Sequence, residues 1–206
     1  MFVKDVMSFE PLTVGPNDPL DNVAEIMREN HFEVLPVVEK KQVVGVITAW
    51  DFLRRSLEDV DHQGCCVSDV MSTSVITVSS DEIVEEAAFQ MRKHDVWALP
   101  VLNDHNQLVG MINQIDLFRV MVDMMGLRSR GSRITLRVPD KQGILADITQ
   151  IVKASGVSIA SLSTYIPERT HIGNVVLRVK TEEPRELVLK LRDAGFWVTH
   201  VSQVWE

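Results

Sequence analysis

Gly45-Val46-Ile47-Thr48-Ala49-Trp50-Asp51 returns later in the chain as Gly110-Met111-Ile112-Asn113-Gln114-Ile115-Asp116. In each stretch a glycine and two apolar residues read as the end of a buried strand. The short polar residue stands where a helix starts, and the aspartate falls in that helix's first turn. A hydroxyl beside the unpaired N–H groups of a helix tip suits a phosphate. A carboxylate one turn further on suits the vicinal hydroxyls of a ribose, which donate to it as charge-assisted bonds. The same spacing also serves a structural end, because Thr48-x-x-Asp51 and Asn113-x-x-Asp116 are each close to a capping box.

The sequence around these two stretches repeats as well. Val3-Lys4-Asp5-Val6-Met7 recurs as Val67-Ser68-Asp69-Val70-Met71, Thr13-Val14 as Thr77-Val78, Met27-Arg28 as Met91-Arg92, and Leu35-Pro36-Val37 as Leu99-Pro100-Val101, all at an offset of 64. Gly45 and Asp51 match Gly110 and Asp116 at 65, which places one extra residue in the turn at Asn103-Asp104-His105-Asn106-Gln107 relative to Glu39-Lys40-Lys41-Gln42. A turn is where a duplicated unit tolerates an insertion.

Each unit predicts a short strand at Thr13-Val14 or its copy, then a helix. The first helix is expected to open at Asp18-Pro19, with Asp as cap and Pro at the first helical position. Its inner face reads Leu20, Val23, Ala24 and Met27, and that of the second unit Ile83, Val84, Ala87, Ala88 and Met91. Two strands follow in each unit, and then a helix carrying Phe52 and Leu53, or Leu117, Phe118 and Met121. The methionines read as core filler. Units of this size are marginal alone, so the two are expected to bury their sheets against each other.

Charge divides the chain at one place. Residues 1–126 hold nine Lys/Arg against twenty-one Asp/Glu, and residues 127–206 hold twelve against eight, so the halves carry −12 and +4 of the whole-chain −8. The sign changes at Arg128-Ser129-Arg130-Gly131-Ser132-Arg133, a polar segment that reads as a linker. The expected domains are 1–62 and 63–126 for the two repeats, 127–132 for the linker and 133–206 for a last domain. An acidic front half argues against nucleic-acid binding, which draws on positive charge to replace counterions. No apolar run reaches membrane-spanning length and no secretory signal opens the sequence, so a cytoplasmic protein without a membrane partner is expected. Cys65 and Cys66 are adjacent and make no disulfide framework. His62-x-x-Cys65-Cys66 is half a metal site without its second pair of ligands, so no metal is expected.

The doubled order of Asp-Val-Met, Thr-Val, Leu-Pro-Val and Gly-apolar-apolar-Thr/Asn-x-x-Asp resembles a tandem pair of CBS domains, a Bateman module, over nearly all of residues 1–126. The resemblance implies two adenosine-ligand clefts, each taking its polar residue and Asp from one repeat and its early strand and pre-Leu-Pro residues from the other. Cleft one would be Thr48 and Asp51 with Thr77, Val78, Val96, Trp97 and Ala98. Cleft two would be Asn113 and Asp116 with Thr13, Val14, Phe32, Glu33 and Val34. Cleft one is favoured: it keeps the hydroxyl, and Trp97 can stack on a purine or simply fill the gap. Cleft two sets Glu33 where a phosphate would lie, and like charges at short range repel by roughly a kcal/mol or more. Arg54, Arg55 and Arg119 follow the aspartates as phosphate partners or as solvated surface. The implied regulatory ligand is AMP, ADP or ATP, S-adenosylmethionine or NAD.

From Arg133 the pattern changes. Ile134-Thr135-Leu136-Arg137-Val138 alternates as a strand with one buried face. A helix over 144–154 with Leu145, Ile148, Ile151 and Val152 inward ends at Gly156. Strands at 157–166 and 172–180 join through Pro167-Glu168-Arg169-Thr170. A helix from Pro184 turns Leu187, Leu191 and Leu189 inward as far as Gly195, and a last strand covers 197–205. Strand, helix, strand, strand, helix, strand is a ferredoxin-like order, so the whole chain is α+β. Asp140-Lys141-Gln142-Gly143-Ile144-Leu145 resembles the effector loop of an ACT domain, with Gln142 where that family commonly has Pro. The resemblance implies an amino acid held at this loop, the glycine letting backbone approach it. The other reading has Asp140 capping the helix and Gly143 permitting the turn. An exposed sheet edge implies pairing with another copy as a homodimer.

A CBS pair followed by an ACT domain is similar to acetoin-utilisation-type regulatory proteins. The function expected is a non-catalytic sensor of an adenosyl ligand, read out by a protein target. The alternatives are an enzyme of acetoin-related metabolism and a constitutive scaffold. The six histidines are scattered through the chain, with no nucleophile elbow and no phosphate-cradling glycine loop.

Overall fold

Each glycine-led stretch closes an antiparallel hairpin. In the computed structural model, which describes residues 1–57, 64–167 and 170–204, β2 (Val34–Glu39) pairs with β3 (Gln42–Thr48), and β5 (Ala98–Leu102) pairs with β6 (Leu108–Asn113). The first hairpin turns on Lys40 and Lys41, both with positive φ (51° and 69°), a pair of left-handed residues that suits the strands' twist. The second takes the longer loop 103–107, where the Asn103 side-chain oxygen accepts from the N–H groups of His105 and Gln107. Pro36 sits inside β2 because the neighbouring bridge uses its carbonyl, which accepts from the Val14 N–H at 3.2 Å.

The helices α1 (Leu20–Asn30) and α3 (Val84–His94) end on His31 and Asp95, left-handed residues at φ 55° and 54°. Asp18 does not cap α1. Its carboxylate accepts from the Gly15 N–H at 2.7 Å and closes the preceding turn, and Pro19 takes the cap position. Ile83 is exposed at the equivalent cap of α3, and Ala88 is exposed too. Leu53 on α2 (Ala49–Leu57) and Phe118 and Met121 on α4 (Gln114–Met124) also face outward, whereas Phe52 packs on the first core.

The two repeats exchange their opening segments. Val3 and Met7 lie in the core formed by Val78, Ala87, Met91, Leu99, Val101 and Ile112 of the second repeat, and Val67 lies in the core formed by Val14, Leu20, Val23, Leu35 and Ile47 of the first. The strand β1 (Ser8–Phe9) accordingly pairs with β6, giving the sheet order β1-β6-β5-β4 with β4 (Val78–Ser79) parallel to β5. In the first repeat Ser72 bridges Val46 in the same manner. This exchange explains the glycines. A Cβ on Gly45 would lie 2.5 Å from the Met71 sulfur, and one on Gly110 would lie 2.6 Å from the Met7 sulfur and 2.7 Å from the Ser8 carbonyl oxygen. Gly45→Ala is expected to destabilise the first unit by about 1–3 kcal/mol through overpacking. Gly110→Ala should cost more, because a backbone carbonyl cannot swing aside as a methionine can. Urea titration of the two variants checks both the size and the order.

These elements, with α4 as far as Phe118, form one compact unit, Met1–Phe118, and Arg119–Glu206 forms a second. In the second, β7 (Gly131–Pro139) and β9 (Ile172–Val179) are central, flanked by β10 (Trp197–Val204) and β8 (Ile159–Tyr165), in the order β10-β7-β9-β8. Its helices α5 (Ile144–Ala154) and α6 (Arg185–Asp193) cover one face around Ile134, Leu136, Ile148, Leu177, Leu187 and Leu191. Leu145 and Leu189 face outward, and Val188 takes the inward place expected of Leu189. The strand β7 begins at Gly131, earlier than the alternation alone marks, because its pairing with β9 and β10 continues through Ser132. The turn residues Glu168 and Arg169, and Trp205 of the expected last strand, lie outside the described residues.

Candidate functional site

The left-handed caps at His31 and Asp95 direct the chain into residues 32–34 and 96–98, and the strand ends at Thr48 and Asn113 lie beside those segments. The N–H of Ala49 donates to the Glu33 carbonyl at 2.9 Å, and that of Gln114 donates to the Trp97 carbonyl at 3.1 Å. Two cavities related by the repeat result. The first, about 440 Å³, is lined by Val46, Thr48, Ala49 and Trp50, by Asp95, Val96, Trp97 and Ala98, and by Glu33 and Val34. The second, about 650 Å³, is lined by Met111, Asn113, Gln114 and Ile115, by residues 31–36, by Trp97 and Ala98, and by residues 8–12. Glu33 and Trp97 are equivalent positions in the two repeats, and each lines both cavities.

Several expected site residues therefore meet. Thr48, Val96, Trp97 and Ala98 share the first cavity, and Asn113, Phe32, Glu33 and Val34 share the second. Trp97 is 56% exposed and lines both cavities. Thr77, Val78, Thr13 and Val14 are not in either lining. Val78 is buried and pairs with Val101, and Val14 is buried and bridges Val37, so both serve the cores. The residues that sequence reasoning missed are chiefly Asp95 and His31, and the signal for them is a polar residue immediately before the stretch preceding Leu-Pro. Glu33, expected only in cleft two, faces both.

Asp51 and Asp116 are not in either lining, and both are buried, at 7% and 6% exposure. Asp51 Oδ2 accepts from the Thr48 N–H at 2.8 Å and from the Thr48 hydroxyl at 2.7 Å, and Arg54 donates to Asp51 Oδ1 at 3.1 Å. The N–H groups of Thr48 and Ala49 are thus both engaged within the protein. Asp116 makes the full capping box: its Oδ2 accepts from the Asn113 N–H at 3.1 Å, and its own N–H donates to Asn113 Oδ1 at 2.9 Å. Of the three arginines, Arg54 is paired with Asp51, Arg119 begins the second unit, and the side chain of Arg55 lies outside the described residues, as does His62. Cys65 and Cys66 are half-buried.

The second unit has its own cavity of about 250 Å³ at the start of α5, lined by Asp140, Lys141, Gly143, Ile144 and Leu145 with Asn174 among the residues opposite. Gln142 is not in the lining. Gly143 occupies the cap of α5 at φ 88°, with no side-chain cap bond, so Asp140 does not cap the helix. A left-handed residue with open space around its Cβ position favours glycine for its backbone conformation alone.

The CBS domain family matches residues 3–58 and 67–123, and the TTHA0829-like ACT domain family matches residues 130–202. CBS domain-containing protein YhcV of Bacillus subtilis is 34% identical over 134 residues, covering 65% of this chain and 92% of that protein. A CBS domain pair solved in complex with 5′-methylthioadenosine and S-adenosyl-L-methionine is 29% identical, with a TM-score of 0.54 over 59% of this chain and 95% of that one. A structure from Vibrio cholerae named for acetoin utilization (AcuB) is 25% identical, with a TM-score of 0.56 over 62% of this chain and 95% of that one. The chain spans about a quarter of the length of several other curated relatives, among them an L-aspartate semialdehyde sulfurtransferase of Methanocaldococcus jannaschii, 23% of which is matched. Among the described residues, no helix is long and apolar enough to cross a membrane.

Proposed function

The chain belongs to the CBS domain family, with a TTHA0829-like ACT domain behind its tandem repeats, and from that premise we propose that it is a non-catalytic regulator that senses an adenosyl ligand. CBS pairs and ACT domains are regulatory modules. The observation that carries the proposal is the pair of repeat-related cavities, each built where a strand-to-helix junction of one repeat faces the segment before Leu-Pro of the other. The size of each suits a nucleoside, cavities for small ligands being on the order of 300–1,000 Å³. Thr48 and Asp51 hold the sugar side of the first site and Trp97 stacks on the base. Asn113 and Asp116 take the corresponding places in the second. The likeness to a CBS pair that carries adenosyl compounds supports the same ligand class here.

In this reading the domains are 1–62, 63–126 and 133–206, joined through 127–132. The ACT cavity beside Gly143 takes an amino acid or a molecule of like size, and the output lies in acetoin-related metabolism, a reading that the likeness to an acetoin-utilization protein supports. The active form is a homodimer acting on a protein target. Regulation requires that the ligand bind one arrangement of the protein better than another.

Thermal denaturation with AMP, ADP, ATP, NAD and S-adenosylmethionine tests the proposal. A true ligand at a hundredfold excess over its Kd adds about 2.7 kcal/mol to stability. A panel in which no compound raises the melting temperature excludes the sensor and leaves the scaffold. Turnover of any of these compounds by purified protein points to the enzyme instead.

A further inference from the structure

Charge around the two nucleoside cavities is one-sided. Among the described residues, the first cavity is lined by two carboxylates, Glu33 and Asp95, and by no lysine or arginine. The second is lined by Glu10 and Glu33, again with neither lysine nor arginine. Two donors at the start of α2 are engaged within the protein: the Thr48 N–H by Asp51 and the Ala49 N–H by the Glu33 carbonyl. The Thr48 hydroxyl gives its proton to Asp51 Oδ2, which turns its lone pairs, and not a donor, toward a ligand. The guanidinium of Arg54 is held on Asp51 Oδ1. Negative charge therefore dominates the linings of both cavities.

We infer that the first cavity selects adenosyl compounds without a phosphate on the 5′ carbon, bearing instead a neutral or cationic substituent such as a thioether or a sulfonium, and that Glu33 and Asp95 set this preference. The inference rests on the adenosyl reading above and narrows it. A phosphate would bring two negative charges into a cavity already holding two carboxylates, whereas a sulfonium would be attracted by them. Because Glu33 lines both cavities, it imposes the same preference on the second.

Isothermal titration of the full chain with AMP, 5′-methylthioadenosine and S-adenosylmethionine tests it, repeated on the double variant Glu33→Gln, Asp95→Asn. Both side chains are exposed, and asparagine tolerates the left-handed backbone of Asp95, so the variant is expected to fold. In the unsubstituted protein, the thioether and sulfonium compounds should bind at least about tenfold more tightly than AMP, the scale expected of short-range charge repulsion. The gap between AMP and the sulfonium should narrow in the variant, with the uncharged thioether moving least. AMP binding as tightly as the other two, or a gap that the variant leaves unchanged, overturns the charge preference while the adenosyl reading stands. Absence of binding by all three overturns both.

Discussion

Asp51→Ala is expected to abolish the rise in melting temperature that an adenosyl ligand produces at the first cavity, and to lower the stability of the unliganded protein at the same time. The two effects have different origins. Asp51 Oδ2 satisfies both the N–H and the hydroxyl of Thr48 at the start of α2, and the carboxylate is buried. Loss of such a cap costs about 1–2 kcal/mol. The Arg54 contact adds little to that figure, because the guanidinium is largely exposed and the pair is screened. Ligand binding depends instead on the lone pairs of Asp51 that remain for ribose hydroxyls. Asp51→Asn separates the two, since its single carbonyl oxygen can keep the Thr48 bonds while the charge that strengthens a ribose contact is gone. The expected order of ligand-induced shift is Asp51, then Asn, then Ala, with unliganded stability falling appreciably only at Ala. A shift in Asp51→Ala equal to that of the unsubstituted protein would confine Asp51 to capping.

That one carboxylate carries both readings shows what was legible in the chain. The spacing Thr48-x-x-Asp51 fits a capping box and a ribose clamp alike, and the structure uses it as a cap. The repeat was visible because offsets of 64 and 65 recur in order, and the hairpins follow from them with the insertion in the turn. Which copy each motif packs against was not visible. A periodic sequence is indifferent to whether Val3 and Met7 fold under their own repeat or the other, and here they cross. The crossing decides why Gly45 and Gly110 are glycines, a matter of the approaching methionines that no local pattern encodes. Exposure of Leu53, Phe118 and Met121 escaped the same logic, since apolar spacing marks a helix face and not what covers it. At the site, Trp97 and Glu33 were found because they precede Leu-Pro. Asp95 was missed because its role comes from a left-handed helix end that turns it into the cavity lining. In the second unit the strand order followed from alternation, and Val188 replaced Leu189 in the core because a helix starting at Arg185 sets 187, 188 and 191 on one face.

Gly131→Ala is expected to destabilise the second unit by roughly 2–6 kcal/mol, the sum of a strained backbone and an overpacked contact. Gly131 has φ 144°, a conformation that glycine adopts freely and other residues rarely do. A Cβ at this position would run into the carbonyl of Val179, which is backbone in the adjacent strand and cannot yield as a side chain would. The residue pairs with Val204 at the first step of β7, and the Ser132 hydroxyl beyond it donates to the Thr181 carbonyl at 2.7 Å. To admit a methyl group, β7 must move away from β9, and those two strands carry Ile134, Leu136, Val175 and Leu177, the centre of the second core. A domain's whole stability is about 5–15 kcal/mol, so the upper part of the range would leave this unit largely unfolded. Hydrogen exchange reads the effect by position. The amides of 131–139 and 172–179 should lose protection together, and those of β5 and β6 in the first unit should keep theirs. Unchanged protection along β7 would mean that the strand end relaxes without disturbing the sheet. A ligand at the loop before α5 should restore part of the lost protection, because that cavity is lined by Val138 and Val175 from the same two strands and binding favours the folded unit by mass action.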